Sequence, residues 1–179
     1  MTFVDRLKRK DIYWLVSGTG DINPAIYYQK RKSIAIGRTM DAVMNRAEVK
    51  RRIIVLARNL SFTISQLDIN PTGYYFGLRY DVGGYNKVSF TSRRVFSEKL
   101  LRELALETFD KLDNLKHYGI TFITIRCFNF ANHKTIYNLL TCDEDCKANK
   151  LYLMLSRVRK RHGIDYIKSA IELIDYVDS

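Results

Sequence analysis

The chain has 179 residues, 46% of them hydrophobic, and 30 Lys and Arg against 19 Asp and Glu give it a formal net charge of +11. That length supports one domain with appendages, the hydrophobic share excludes a disordered chain, and no run reaches the roughly 18–20 apolar residues of a membrane span. A positive surplus of this size on a small domain favours nucleic acid or an anionic surface as partner.

Residues 1–17 carry Phe3, Val4, Leu7, Ile12 and Leu15 at amphipathic spacing, and Gly18-Thr-Gly20 and Asn23-Pro24 break the pattern. A short helical piece is expected there. Its early Lys and Arg, without a long apolar core, are not a signal peptide, so a cytoplasmic, nucleoid-associated location is expected. Gln29-Lys30-Arg31-Lys32 then forms a basic tether that feeds a β-branched run over Ser33–Val43, the first predicted strand. Gly37 leaves one face of that strand open to close approach by a backbone or a phosphate. Arg38 beside it brings five donors.

Asn45 is a predicted N-cap with Glu48 three residues on. Val49, Ile53, Ala57, Leu60, Ile64 and Leu67 recur at helical spacing, which predicts a helix over 46–67 with Lys50, Arg51, Arg52 and Arg58 pointing elsewhere. Asn70-Pro71-Thr72-Gly73 reads as a turn, and alternation over Tyr74–Tyr80 as a strand. Gly83-Gly84 marks a hairpin into a strand over Asn86–Val95. Ser97 caps a second helix over 98–116, with Leu101, Leu104, Ala105, Thr108, Leu112 and Leu115 on its apolar face and Gly119 ending it. Ile120–Phe130 is a further strand. Ala131–Lys147 reads as a linker, and Leu151, Leu155, Val158, Ile164, Ile167, Ala170 and Ile171 as one or two short helices.

The order β-α-β-β-α-β predicts an α+β fold: a four-stranded sheet with both helices on one face, and short flanking helices at both ends. The other face stays open. Parity assigns it Arg38, Met40, Tyr75, Arg79, Lys87, Ser89, Thr91, Thr124 and Arg126, a basic, hydroxyl-rich surface suited to phosphate contacts that position without reading sequence. Arg157, Arg159, Lys160 and Arg161 form a second basic patch, although a solvated helix face is the more common fate of such a run.

Catalytic and metal readings are poor. Cys127, Cys142 and Cys146 are odd in number and read as free thiols, and Cys142-Asp-Glu-Asp-Cys146 lacks a second Cys/His pair. His117, His133 and His162 are scattered, with His117 expected at a helix C-terminus, where a cation is favoured. Gly18-x-Gly20 is too little for a nucleotide loop.

The element order, together with Lys32-Ser33, Ile36-Gly37-Arg38-Thr39-Met40, Tyr80 followed by Gly83-Gly84, Val88-Ser89-Phe90-Thr91 and Ile123-Thr-Ile-Arg-Cys127, resembles the little-finger domain of Y-family translesion DNA polymerases, in the manner of the UmuC/DinB-like (ImpB/MucB/SamB) proteins of Gram-positive bacteria. The tail from Leu155 through Arg161-His162-Gly163 to Ile167-Lys-Ser-Ala170 is similar to the end of those proteins, and Ile12–Gly18 to the last part of their thumb. The sequence departs from the family in three places. Ala35-Ile36 interrupt the family's Lys-Ser-Ile-Gly, Asp41 stands where a Thr follows Met40, and Ile136-Tyr-Asn-Leu-Leu140 keeps the apolar pair of the clamp-binding peptide without its Gln.

The resemblance implies a division into 1–28, the end of a thumb-like segment with its tether; 29–132, a little-finger-like DNA-binding domain; and 133–179, a linker with basic helices. It implies a non-catalytic module that grips primer–template duplex during DNA damage tolerance and the SOS response. The DNA-binding residues would be Lys30, Arg31, Lys32, Gly37, Arg38, Thr39, Arg79, Lys87, Ser89, Thr91, Thr124 and Arg126. Ile136, Leu139 and Leu140 would be candidates for docking on a sliding clamp. No cofactor is expected in this chain. Polymerase chemistry needs clustered palm carboxylates and Mg²⁺, and Asp143, Glu144 and Asp145 are expected in a linker with no scaffold to converge them. The chain is therefore expected to be the C-terminal part of a polymerase, not itself an enzyme. Two alternatives stand beside this: a protein-interaction module docking through Leu139–Ala170 or the two helices, and an RNA-binding plait stacking bases on its sheet. Against the plait, no aromatic-rich central-strand signature is present, and parity places only Tyr75 outward among the aromatics.

Overall fold

The computed structural model describes residues 32–131 and 142–173. The helical piece expected before residue 29, Lys30, Arg31, His133, Ile136, Leu139 and Leu140 lie outside them. The elements are β1 (Ser33–Val43), α1 (Arg46–Gln66), β2 (Asn70–Tyr80), β3 (Tyr85–Thr91), α2 (Glu98–Leu112), β4 (Ile120–Ala131), α3 (Cys142–His162) and α4 (Ala170–Leu173). The four strands form one sheet in the order β1-β4-β2-β3, antiparallel at every pairing. The fold is α+β, as expected. No helix among the described residues is long and apolar enough to cross a membrane.

Local chemistry explains most boundaries. The Asn45 side chain accepts from the Ala47 and Glu48 amides and starts α1. Glu48 does not close a capping box. Its carboxylate is taken by Arg51 and Arg52, three and four residues on along the helix, at 2.6 Å each. The Ser97 hydroxyl accepts from the Leu100 amide and starts α2. The hairpin turns at Gly83, whose φ of 87° is the left-handed region that glycine enters freely.

α1 and α2 cover one side of the sheet. Ile53, Leu56, Ala57, Leu60, Leu101, Ala105 and Phe109 meet Tyr74, Phe76, Leu78, Ile123, Ile125 and Cys127 in one buried cluster. β4 is inserted between β1 and β2, so its Ile120, Ile123, Ile125 and Cys127 are buried at the centre.

Several expectations are corrected. Asn70-Pro71-Thr72-Gly73 is not a turn but the start of β2. At Pro71 the strand pairs with β4 alone, because the register with β3 begins at Gly73, so a residue without an N–H is tolerated there. The reversal falls earlier, at Asp68, with φ 48°. β3 ends at Thr91, and Val95 and Phe96 are buried in the approach to α2. α2 stops at Leu112, so His117 lies in the following loop and not at the helix end. The side chains of Tyr80 and Asn86 bond the Leu112 carbonyl, and Arg46 binds Asp113 and the carbonyls of Leu115 and Tyr118. These side chains do what a glycine cap would have done. Gly119 is instead a close-packing position: a Cβ there would sit 2.6 Å from the Ala42 Cβ.

The expected linker ends early, because α3 begins at Cys142 and is 21 residues long. Its Tyr152 ring packs edge-on against Phe96, 5.5 Å between centroids, and its hydroxyl donates to the Ser61 carbonyl. Arg58 does not point to solvent. It is 3% exposed, donates to the Ile164 carbonyl and to Asp165, and lies 2.9 Å from Glu172.

Candidate nucleic-acid interface

Directly opposed residues of an antiparallel sheet share a face, so the register fixes what lies away from the helices. The open face carries Ser33, Ala35, Gly37 and Thr39 of β1, and Phe128, Arg126, Thr124 and Phe122 of β4. It continues with Gly73, Tyr75, Gly77 and Arg79 of β2, and Thr91, Ser89, Lys87 and Tyr85 of β3. Arg79, Lys87 and Arg126 are exposed, and no carboxylate stands among these paired positions.

The parity assigned to Tyr75, Arg79, Lys87, Ser89, Thr91, Thr124 and Arg126 matches this register. That assigned to Arg38 and Met40 does not. Arg38 pairs with Ile123, a core residue, and so stands on the helix side of β1, where its side chain is exposed. Met40, in an irregular stretch of β1, packs against the core. The Thr124 hydroxyl donates to the Ile36 carbonyl at 3.2 Å, so it is engaged within the sheet. Lys32 and Thr39 are exposed.

Aromatic rings are the feature that sequence reasoning missed. Phe122, Phe128 and Tyr85 join Tyr75 on the open face, so parity undercounted its aromatics. The signal was present: Phe122 and Phe128 share the parity of Thr124 and Arg126. Three of the rings lie where glycine leaves room. A Cβ on Gly37 would come within 3.0 Å of the Phe122 ring, one on Gly73 would strike Phe128, and one on Gly77 would strike Tyr85. Gly37 is therefore not an open berth for a phosphate, because a neighbouring ring already fills it.

Two guanidinium groups sit over rings. The Arg79 Cζ is 5.4 Å from the Phe122 centroid, and the Arg126 Cζ is 5.3 Å from that of Tyr75. The Tyr75 and Tyr85 hydroxyls are 2.7 Å apart. Burial, followed by this bond to Tyr75, pushes the Tyr85 phenol up to about 12, so it keeps its proton at neutral pH.

The second basic patch is split. Arg157, Lys160 and Arg161 lie on the outer side of α3, whereas Arg159 is 3% exposed and binds Glu98 and the Ile167 carbonyl. The acidic run lies in the first turn of α3, with Asp145 buried and bound to Arg94 at 2.7 Å. The Cys127 thiol is buried, and that burial raises its pKa.

No family model and no curated protein matches the sequence. Among solved structures the chain is similar to the little finger domain of PolIV in a complex with the β-clamp processivity factor. The likeness has 14% identity and a TM-score of 0.46, over 60% of this chain and 97% of that one.

Proposed function

We propose that this chain is a non-catalytic module that grips duplex DNA, serving as the little-finger-like part of a Y-family translesion polymerase. The open sheet face carries the proposal. Three exposed cations, exposed Ser89, Thr91 and Thr39, and no paired carboxylate suit a surface that lies along a polyanion. The motif resemblance supplies the polymerase context. In that context the synthetic chemistry and its Mg²⁺ belong to a palm domain elsewhere, and this domain holds the template and primer strands. A second reading, docking on a sliding clamp through Ile136, Leu139 and Leu140, rests on the peptide motif that keeps its apolar pair without the Gln.

The test is fluorescence anisotropy of a labelled primer–template duplex over a salt series. Affinity is expected to fall steeply with salt and to be equal for unrelated sequences. Arg79→Ala with Arg126→Ala is expected to weaken binding roughly tenfold or more and to reduce the log–log salt slope by about 2, near 0.9 for each phosphate no longer neutralised. Arg38→Ala, on the helix side, is expected to cost less than either single change. An unchanged slope in the double variant would remove the open face as the interface.

A further inference from the structure

The rings on the open face have a role that the DNA-binding reading alone does not give them. Arginine has a long, mobile side chain, which a phosphate contact normally has to freeze. Here Arg79 and Arg126 already lie over Phe122 and Tyr75. The rings are themselves held. Phe122 rests over the space left by Gly37, and Tyr75 is tied through its hydroxyl to Tyr85, which rests over Gly77. Arg79 thus stands on a ring seated over bare backbone, and Arg126 on a ring tied to one that is. Arg79 lies four positions on from Tyr75, the partner of Arg126 across the sheet, which sets the two stacks about 13 Å apart along the strands.

We propose that Phe122 and Tyr75, with Tyr85 behind Tyr75, are positioning residues that preorganise Arg79 and Arg126 as two fixed phosphate clips. This inference rests on the DNA-binding reading of the same face. The ligand groups are backbone phosphates. The bases stay away from the rings, because a guanidinium already covers Phe122 and Tyr75.

The two readings fail differently. If the wild-type chain does not bind duplex DNA, the DNA-binding reading falls. If it binds, the ring variants decide. Tyr75→Leu with Phe122→Leu keeps every charge, so the salt slope should stay at its wild-type value while affinity drops about tenfold, equally for unrelated duplexes. Tyr75→Phe keeps the ring under Arg126 but cuts its tie to Tyr85, and should lose a few-fold in affinity, less than the leucine change. A stability hazard attends Phe122→Leu, since it empties the space over Gly37. Arg79→Lys with Arg126→Lys therefore serves as the second arm: charge and rings remain, the planar stack is lost, and affinity should again fall near tenfold at unchanged slope. Wild-type affinity in a folded Tyr75→Leu variant, or a loss confined to single-stranded DNA, would overturn the proposal. The second result would mean that bases, not arginines, use the rings.

Discussion

Glu48 shows how one side chain can depart from its sequence signature. The Asn45 and Glu48 spacing fits a capping box, yet two arginines one turn on outcompete the backbone amide for the carboxylate. Charge-assisted, partly bidentate bonds explain the outcome. Hydrogen bonding from Arg51, opposed by burial and reinforced by Arg52, lowers the Glu48 pKa from its ordinary 4.5 to about 2. Because the folded value is depressed, the stabilisation is present above pH 4.5 and is lost as pH falls toward 2. Glu48→Gln should cost about 0.5–1 kcal/mol at neutral pH, the sum of two helical pairs. It should also flatten the loss of stability between pH 4.5 and 2, as read by urea unfolding at a series of pH values. Equal slopes for variant and wild type over that window would refute the assignment. Arg38 and Phe122 make the complementary point. Each has a side chain suited to a binding face, but only register tells which face it occupies.

The C-terminal elements were the least legible. Residues 142–147 read as linker because Asp143, Glu144 and Asp145 break any apolar pattern. In the fold those carboxylates sit in the first turn of α3, where the helix dipole favours them, and Asp145 meets Arg94 from a distant segment. Arg58 and Arg159 read as solvated charges because a buried arginine leaves no mark on periodicity. Both are buried by residues 164–172, which supply carbonyls and carboxylates to them. Removing Arg58 leaves the Glu172 carboxylate, 2% exposed, without its counter-ion. Arg58→Leu is expected to cost about 3 kcal/mol or more. Arg58→Leu with Glu172→Gln should recover over half of that, because the buried charge is gone and the amide oxygen can still accept from Ser169. Denaturant unfolding of both variants checks this. An equal loss in the two would place the cost in packing and not in the orphaned charge.

The described residues share one core, since Tyr152 of α3 is buried with the side chains of the sheet and of α1 and α2. Ile125 is fully buried in it, on β4 between Ile36 and Phe76. Ile125→Ala should cost about 2–5 kcal/mol and lower the melting temperature, with far-ultraviolet and tyrosine signals still moving together. The sequence by itself determined the kinds and order of the central elements, the helix starts at Asn45 and Ser97, the Gly83 hairpin and the basic balance. These are local properties, set by periodicity, capping and turn chemistry within a few residues. The tertiary structure alone decided that β4 lies between β1 and β2, that Arg38 faces the helices, that rings from neighbouring strands fill the spaces at Gly37, Gly73 and Gly77, and that Arg58 and Arg159 are buried. Each of these joins residues far apart in the chain, and such pairings follow from the packing of whole elements, which no local pattern encodes.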